Sequence, residues 1–299
     1  MKILLTGANG QLGRAFQELF KKLNIDYIAT DTEELDITKL EQVLLFVGKN
    51  KEITHIINCA AYNQVDKAEQ DWKNAYLVNG LAVRNLAIAA NEINAEIIHY
   101  STDYVFSGDK GQPYTIYDTP NPINKYGESK ALGERFLTTI AKKWYLIRTS
   151  WVFGDGPVNF VKKVIEWSKK NNELRIVKDE ISAPTYAPDL AEATYELIKL
   201  RAYGIYHITN TPCSRYEWAE FILKEIGWNG KLLKAKQEDF NLPAKRPKNS
   251  TLDNFGYFET TGKTMRDWKE ATKEYIDFLK VRGEIYDNTG HRVRRVYRE

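Results

Sequence analysis

Short uninterrupted apolar runs alternate with longer amphipathic stretches through the first half of the chain. Ile3-Leu4-Leu5, Tyr27-Ile28-Ala29, His55-Ile56-Ile57, Ile97-Ile98-His99-Tyr100 and Tyr145-Leu146-Ile147 predict buried strands. Between them Leu12–Leu23, Leu40–Val47, Leu77–Ala90 and Ser129–Ile140 carry apolar residues at helical spacing. Strands that are apolar throughout, alternating with helices, imply a parallel sheet covered on both faces. The expected class is therefore α/β with a doubly wound sheet.

Past Trp151 the pattern changes. A loop at Gly154-Asp155-Gly156-Pro157 leads into a helix predicted over Asn159–Lys170, then a strand at Leu174–Val177. Asp189–Lys199 reads as a helix and Ile205–Ile208 as a strand, so part of this half returns to the sheet. Further helices are predicted at Tyr216–Ile226 and Trp268–Leu279. The expected division places residues 1–152 with about 174–209 in a dinucleotide-binding domain. About 153–173 with 210–280 form a smaller mixed α/β substrate-binding domain. Residues 281–299 form a basic tail or hairpin, with a strand–turn–strand over 284–293 turning at Asn288-Thr289-Gly290 and arginines at 292, 294, 295 and 298.

Composition narrows the class only slightly. The 299 residues are 43% hydrophobic and 28% charged, with a net charge of +3. So balanced a charge points to neither a nucleic-acid nor a membrane partner. Cys59 and Cys213 have no pairing pattern and read as free thiols in a reducing compartment. The apolar run at the N-terminus is too short for a signal peptide or a span, so a cytoplasmic protein is expected.

The first candidate chemistry is Gly7-Ala8-Asn9-Gly10-Gln11-Leu12-Gly13, directly after the first strand and opening the first helix. Gly7 permits a tight turn, Gly10 lets a diphosphate approach the backbone, and Gly13 lets the helix pack near the sheet. The free N–H groups of the helix start then face the anion. This marks a Rossmann-type fold, and the Gly-x-x-Gly-x-x-Gly spacing resembles the extended short-chain dehydrogenase/reductase superfamily. Asp31 follows the second strand, where a carboxylate accepts from the adenosine ribose and favours NADH. Arg14 could instead pair with a 2′-phosphate, so NADPH or NADH remains open. Asp36 and Ile37 are placed near the adenine. The small residues Ala60 and Ala61, with Tyr62, let the backbone approach the cofactor.

The second is Tyr126-Gly127-Glu128-Ser129-Lys130. Residues four apart share a helix face. A phenol titrates near ~10, and a neighbouring ammonium favours its ionised form, which predicts a lowered value for Tyr126. Lys130 can also hold the nicotinamide ribose. Thr102 ends the fourth strand at the edge where ligands bind in this architecture and can hydrogen-bond the substrate oxygen. Asn79 is expected to support Lys130 through water. A Tyr/Lys pair alone is common on surface helices, and it is the order of these features that gives it meaning.

Longer segments carry a closer likeness. Ala60–Glu69, Ser101–Phe106, Arg148–Phe153, Ala183-Pro184-Thr185 and Arg246–Ser250, in this order, resemble the dTDP-4-dehydrorhamnose reductase family from about residue 1 to 280. The resemblance implies reduction of the C4 ketone of a dTDP-linked keto sugar, with Tyr126 as proton donor, Lys130 its partner and Thr102 the tuning hydroxyl. It places Asp103, Val105, Phe106 and Trp151 at the sugar, and Arg246 and Ser250 towards the nucleotide diphosphate. Some members are metal-linked homodimers with carboxylates where this chain has Ala15 and Pro188. No metal is therefore expected, and that dimer mode is in doubt. Three other readings stand beside it. A reductase of a different nucleotide-linked 4-keto-6-deoxy sugar fits the same motifs. A dehydratase or epimerase is disfavoured because Tyr104, not a carboxylate, follows Asp103. A non-catalytic regulatory subunit, similar to the beta subunit of methionine adenosyltransferase, is disfavoured by the intact Tyr126, Lys130 and Thr102.

Overall fold

All five apolar runs of the first half become strands of one sheet in the computed structural model, which describes residues 1–285. In chain order this half contains β1 (Lys2–Thr6), α1 (Gln11–Leu23), β2 (Asp26–Thr30), α2 (Leu40–Lys49), β3 (His55–Asn58), α3 (Val65–Ala68), α4 (Trp72–Tyr76), a π-helical turn (Leu77–Leu81), α5 (Ala82–Glu92), β4 (Glu96–Thr102), α6 (Lys125–Ile140) and β5 (Trp144–Thr149). The second half adds β6 (Val152–Phe153), α7 (Phe160–Lys170), β7 (Glu173–Val177), β8 (Ile181–Ser182), β9 (Thr185–Tyr186), α8 (Ala187–Leu200), β10 (Gly204–His207), β11 (Cys213–Ser214), α9 (Arg215–Glu225), β12 (Lys231–Ala235), α10 (Phe255–Thr261) and α11 (Trp268–Val281). The expected hairpin over 284–293 and the basic tail lie, from Tyr286 onward, outside the described residues.

The sheet runs β2-β1-β3-β4-β5-β10 and every pairing is parallel. Alternate residues of each strand face opposite layers, which is why the runs hold no polar break. Ile3, Leu5, Ile98 and Ile147 meet Phe16 and Phe20 of α1 and Leu190 and Leu197 of α8. Leu4, Ile56, Ile97 and Leu146 meet Val43 of α2, Leu86 of α5 and Leu137 of α6. Each such side chain contributes roughly 1.5–3 kcal/mol on burial. The chain steps from β1 out to β2 and then crosses back to β3. This reversal opens a crevice at the carboxyl ends of the strands.

A second core joins Phe153, Val161, Trp218, Ile222, Tyr275 and Leu279. Here one boundary is corrected. The strand expected at 174 pairs in parallel with β12, apart from the central sheet, so the return to that sheet comes only with α8 and β10. Its alternation explains this. Leu174 and Ile176 are buried while Glu173 and Arg175 are exposed, the signature of a strand covered on one face.

Two helices differ from expectation in ways that shape the site. Helix α6 starts before Ser129, because the Asn124 side chain accepts the Gly127 N–H at 2.8 Å and caps the helix there. Tyr126 therefore sits in its first turn. Gly127 lets that turn press against the 3₁₀ segment after β4: a Cβ there would lie 2.2 Å from the Tyr104 carbonyl oxygen. The helix expected over Leu77–Ala90 is broken by the π turn, which carries Asn79. Among the described residues no helix is long and apolar enough to cross a membrane.

Candidate active site

Two cavities meet over the carboxyl edge of the sheet. One, of about 410 Å³, runs from Gly7 and Gly10 past Asp31, Asp36 and Ile37 to Ala61 and Tyr62. The other, of about 330 Å³, is lined by Gln11, Leu12, Thr102, Asp103, Tyr126, Lys130 and Trp151. Gly10, Cys59, Ala60, Ala61 and Asn63 belong to both walls, so the two form one crevice. A larger groove of about 590 Å³ lies on the outer side of the glycine loop. It includes Asn9, Ala15 and Pro188 but none of the acid–base candidates.

The loop after β1 is built for close approach. Gly7 has φ +67°, and a Cβ there would stand 2.5 Å from the Ala60 nitrogen. Gly13 packs behind it against Ala8. Helix α1 begins at Gly10 with no side-chain cap, leaving its first N–H groups for an anion such as a diphosphate. Asp31 accepts the Asn9 N–H at 3.1 Å, and the Arg14 guanidinium donates to the Asn9 carbonyl at 2.9 Å. A carboxylate and a guanidinium thus flank one residue at the ribose end. An open anion cradle, small residues along β3 and a carboxylate after β2 fit a nicotinamide dinucleotide.

At the other end, Tyr126 is half-buried and its phenol is pushed up to about 12. Burial is the main cause, the neighbouring Thr102 hydroxyl acts the other way, and the charge of Asp103 adds to the rise. The lowering expected from Lys130 is absent. Its ammonium donates to the Tyr100 carbonyl at 2.5 Å and is itself pushed down to about 8 by burial, with Glu134 opposing. Desolvation outweighs the pairwise attraction that the spacing suggests. Asn79 makes direct contacts here. Its side chain accepts the Tyr62 N–H at 2.8 Å and donates to the Tyr62 carbonyl at 3.0 Å and the Ser129 hydroxyl at 2.9 Å. It clamps the loop after β3 to helix α6, one residue from Lys130.

The sugar end holds part of the expected set. Trp151 has φ +43°, a strained value for an aromatic residue, and lies parallel to Trp218. Asp103 lies at the cavity wall, its carboxylate accepting from Thr102 at 3.0 Å, from Ser182 at 2.8 Å and from Ser250. Ser250 therefore sits behind Asp103 and is not part of the cavity lining. Val105 and Phe106 are wholly buried, packed with Tyr114 and Leu252. The 3₁₀ turn over Asp103–Val105 carries both away from the cavity. Arg246 is likewise committed elsewhere, forming a bidentate pair with Asp66 at 2.6 and 3.1 Å outside the cavity wall.

Other residues emerge only in three dimensions. Arg215, at the start of α9, lays its guanidinium 3.6 Å from the Trp151 ring centre and lines the cavity. Ser101, Thr149 and Trp151 each present a buried polar atom with no hydrogen-bond partner, and all three line the same cavity. Ser101 lies one residue before the end of β4 and Thr149 ends β5, so the carboxyl-edge rule was a usable signal for them. Arg215 comes from the second lobe and has no local motif. No group of three or more metal-ligating side chains occurs among the described residues.

Known proteins share this arrangement. Residues 1–281 match the family model described as the RmlD substrate binding domain. The chain is 39% identical to dTDP-4-dehydrorhamnose reductase of Aggregatibacter actinomycetemcomitans, over 91% of this chain and 97% of that one. It superimposes on the crystal structure of a dTDP-4-dehydrorhamnose reductase from Clostridium acetobutylicum with a TM-score of 0.91 and 43% identity, covering 94% of this chain and all of the other. The Bacillus anthracis enzyme, solved in complex with NADP, gives 0.89 and 37%, covering 93% and 99%. With the dinucleotide crevice and the Tyr126, Lys130 and Thr102 constellation in place, the chain belongs to the RmlD family of dTDP-4-dehydrorhamnose reductases, which are NAD(P)H-dependent oxidoreductases.

Proposed function

We propose that this chain reduces the C4 ketone of dTDP-4-dehydro-6-deoxy-L-mannose to dTDP-L-rhamnose, with Tyr126 as the proton donor. The observation that carries this reading is the meeting of two cavities at Ala60 and Ala61, one fitted to a dinucleotide and the other walled by Thr102, Tyr126, Lys130 and Trp151. When bound, the nicotinamide supplies a hydride to the carbonyl carbon. Tyr126 gives its proton to the carbonyl oxygen, where negative charge gathers. A phenol held near 12 is neutral at physiological pH and so has a proton to give. Thr102 shares that oxygen, and Lys130 keeps two N–H donors beyond Tyr100 for the phenol and the ribose. Trp151 covers the sugar, its unpaired indole N–H reading a hydroxyl.

Two unpaired cysteines suit a reducing cytoplasm. Any homodimer forms without a metal bridge at Ala15 and Pro188, neither of which offers a ligand.

The test is oxidation of NADPH and NADH, followed by absorbance, with a panel of nucleotide-linked 4-keto-6-deoxy sugars. Oxidation fastest with the dTDP-linked L-sugar is expected. A faster reaction with another sugar or carrier replaces the substrate, and no oxidation with any of them removes the enzymatic reading.

A further inference from the structure

The Thr102 hydroxyl has one proton and two lone pairs. One lone pair accepts the Tyr104 N–H at 3.2 Å, and the oxygen lies 3.0 Å from Oδ1 of Asp103. An ionised carboxylate only accepts, so while Asp103 is charged the Thr102 proton is spent on it. Thr102 is then unable to donate to a ketone oxygen. Oδ2 of Asp103 already accepts from Ser182 of β8 and from Ser250. Any added proton therefore belongs on Oδ1, the oxygen facing Thr102.

We propose that Asp103 is a protonation-dependent positioning residue. Once neutral, its carboxylic acid donates from Oδ1 to Thr102, and the Thr102 proton turns onto the substrate oxygen beside Tyr126. No heavy atom need move. Asp103 takes one proton from the cavity water, the Asp103–Thr102 hydrogen bond reverses direction, and Thr102 goes from one accepted bond to two while still donating one. The catalytic oxygen then faces two donors, Tyr126 and Thr102. This inference rests on the assignment of Tyr126 as proton donor.

The surroundings suit such a group. Asp103 is wholly buried, and burial raises its carboxyl to about 6 against the opposing effect of Ser250, Ser182, Thr102 and the Arg215 guanidinium. The other titratable groups facing it are Tyr104 beside it and Tyr126 on α6, both neutral there. Filling the cavity removes further water and raises it more. Burial lowers each of the described histidines, His55, His99 and His207, the last to about 3.

The experiment is the pH dependence of kcat/KM for NADPH-driven reduction of the dTDP-keto sugar, which reports groups of the free enzyme. In the wild type kcat/KM is expected to fall as pH rises through about 6. In Asp103→Asn the amide mimics the neutral acid, accepting from the two serines and donating to Thr102. That inflection should vanish, because the amide has no proton to gain or lose over this range. Ser250→Ala removes a donor that favours the carboxylate and should move the inflection to higher pH. The proposal is overturned if Asp103→Asn keeps the wild-type inflection, if it loses activity at every pH, or if Ser250→Ala leaves the inflection in place. Tyr126→Phe separates the two claims: full activity there defeats the proton-donor assignment, whatever Asp103 does.

Discussion

The Lys130 ammonium is anchored on the Tyr100 carbonyl, 2.5 Å away at the end of β4, and is almost wholly buried. This fixes its position relative to the sheet before any ligand arrives. It also carries a cost. The amine titrates at about 8 in the fold, below its unfolded value of ~10.4. A base lowered in this way destabilises the fold while charged. The penalty is full below about pH 8 and disappears as pH rises towards ~10.4. Lys130→Met should therefore be more stable than wild type at pH 7, by on the order of 3 kcal/mol, a difference that shrinks at alkaline pH. The same variant should lose both turnover and cofactor affinity, measured by titrating NADPH fluorescence. Unchanged NADPH affinity would remove the ribose role.

Tyr126→Phe keeps the ring, and with it the edge-on contact to Tyr104. It removes only the hydroxyl. Turnover should fall by at least ~100-fold, the usual share of a general acid, while NADPH binding stays within a factor of ~2. Loss of binding in parallel with turnover would mean that the phenol holds the cofactor and is not the proton source.

How far the sequence reached depends on how local each feature is. Strands buried on both faces print themselves as unbroken apolar runs, so the four at Ile3, His55, Ile97 and Tyr145 were readable, while the run at Tyr27 forms the edge strand β2 and is only partly buried. The glycine loop and the Tyr126/Lys130 pair are short-range patterns and were readable for the same reason. Burial, by contrast, has no spacing. It reversed the expected shift of Tyr126 and moved Lys130 downward. Side-chain direction after a strand is equally hidden. Thr102 and Asp103 face the cavity while Val105 and Phe106, two and three residues on, turn into the core. Arg215, Ser182 and Ser250 reach the site from the second lobe, placed there by tertiary packing that no local pattern encodes.

Asp103 gives a stability prediction independent of its role in turnover. Its carboxyl titrates at about 6 in the fold, above the unfolded ~3.9. An acid raised in this way stabilises the fold only while protonated. That contribution is full below about pH 4 and is lost as pH rises through about 6. Asp103→Asn, frozen in the neutral form, should match the wild type near pH 4 and exceed it at pH 8 by on the order of 2 kcal/mol. Thermal unfolding at both pH values measures this. A wild type that gains on the mutant as pH rises would show that the three hydroxyls make the carboxylate the favoured form.

The groove outside the glycine loop allows a last prediction about assembly. Ala15 on α1 and Pro188 on α8 face it, and neither side chain can hold a cation. The nearest acids do not replace the missing ligands. Asp189 is held by Arg266 through two hydrogen bonds of 2.8 Å. Glu18 is exposed and paired with Lys21. Asp155, also in the groove, is paired with Arg282 at 2.8 Å, which leaves Glu192, and a divalent cation of this kind needs several oxygen ligands. Light scattering should therefore give the same mass with magnesium as with a chelator. Introducing Ala15→Glu with Pro188→Glu should create a magnesium dependence where none existed. A wild-type dimer that dissociates on chelation would mean that other residues bind the metal, with the partner subunit completing the set.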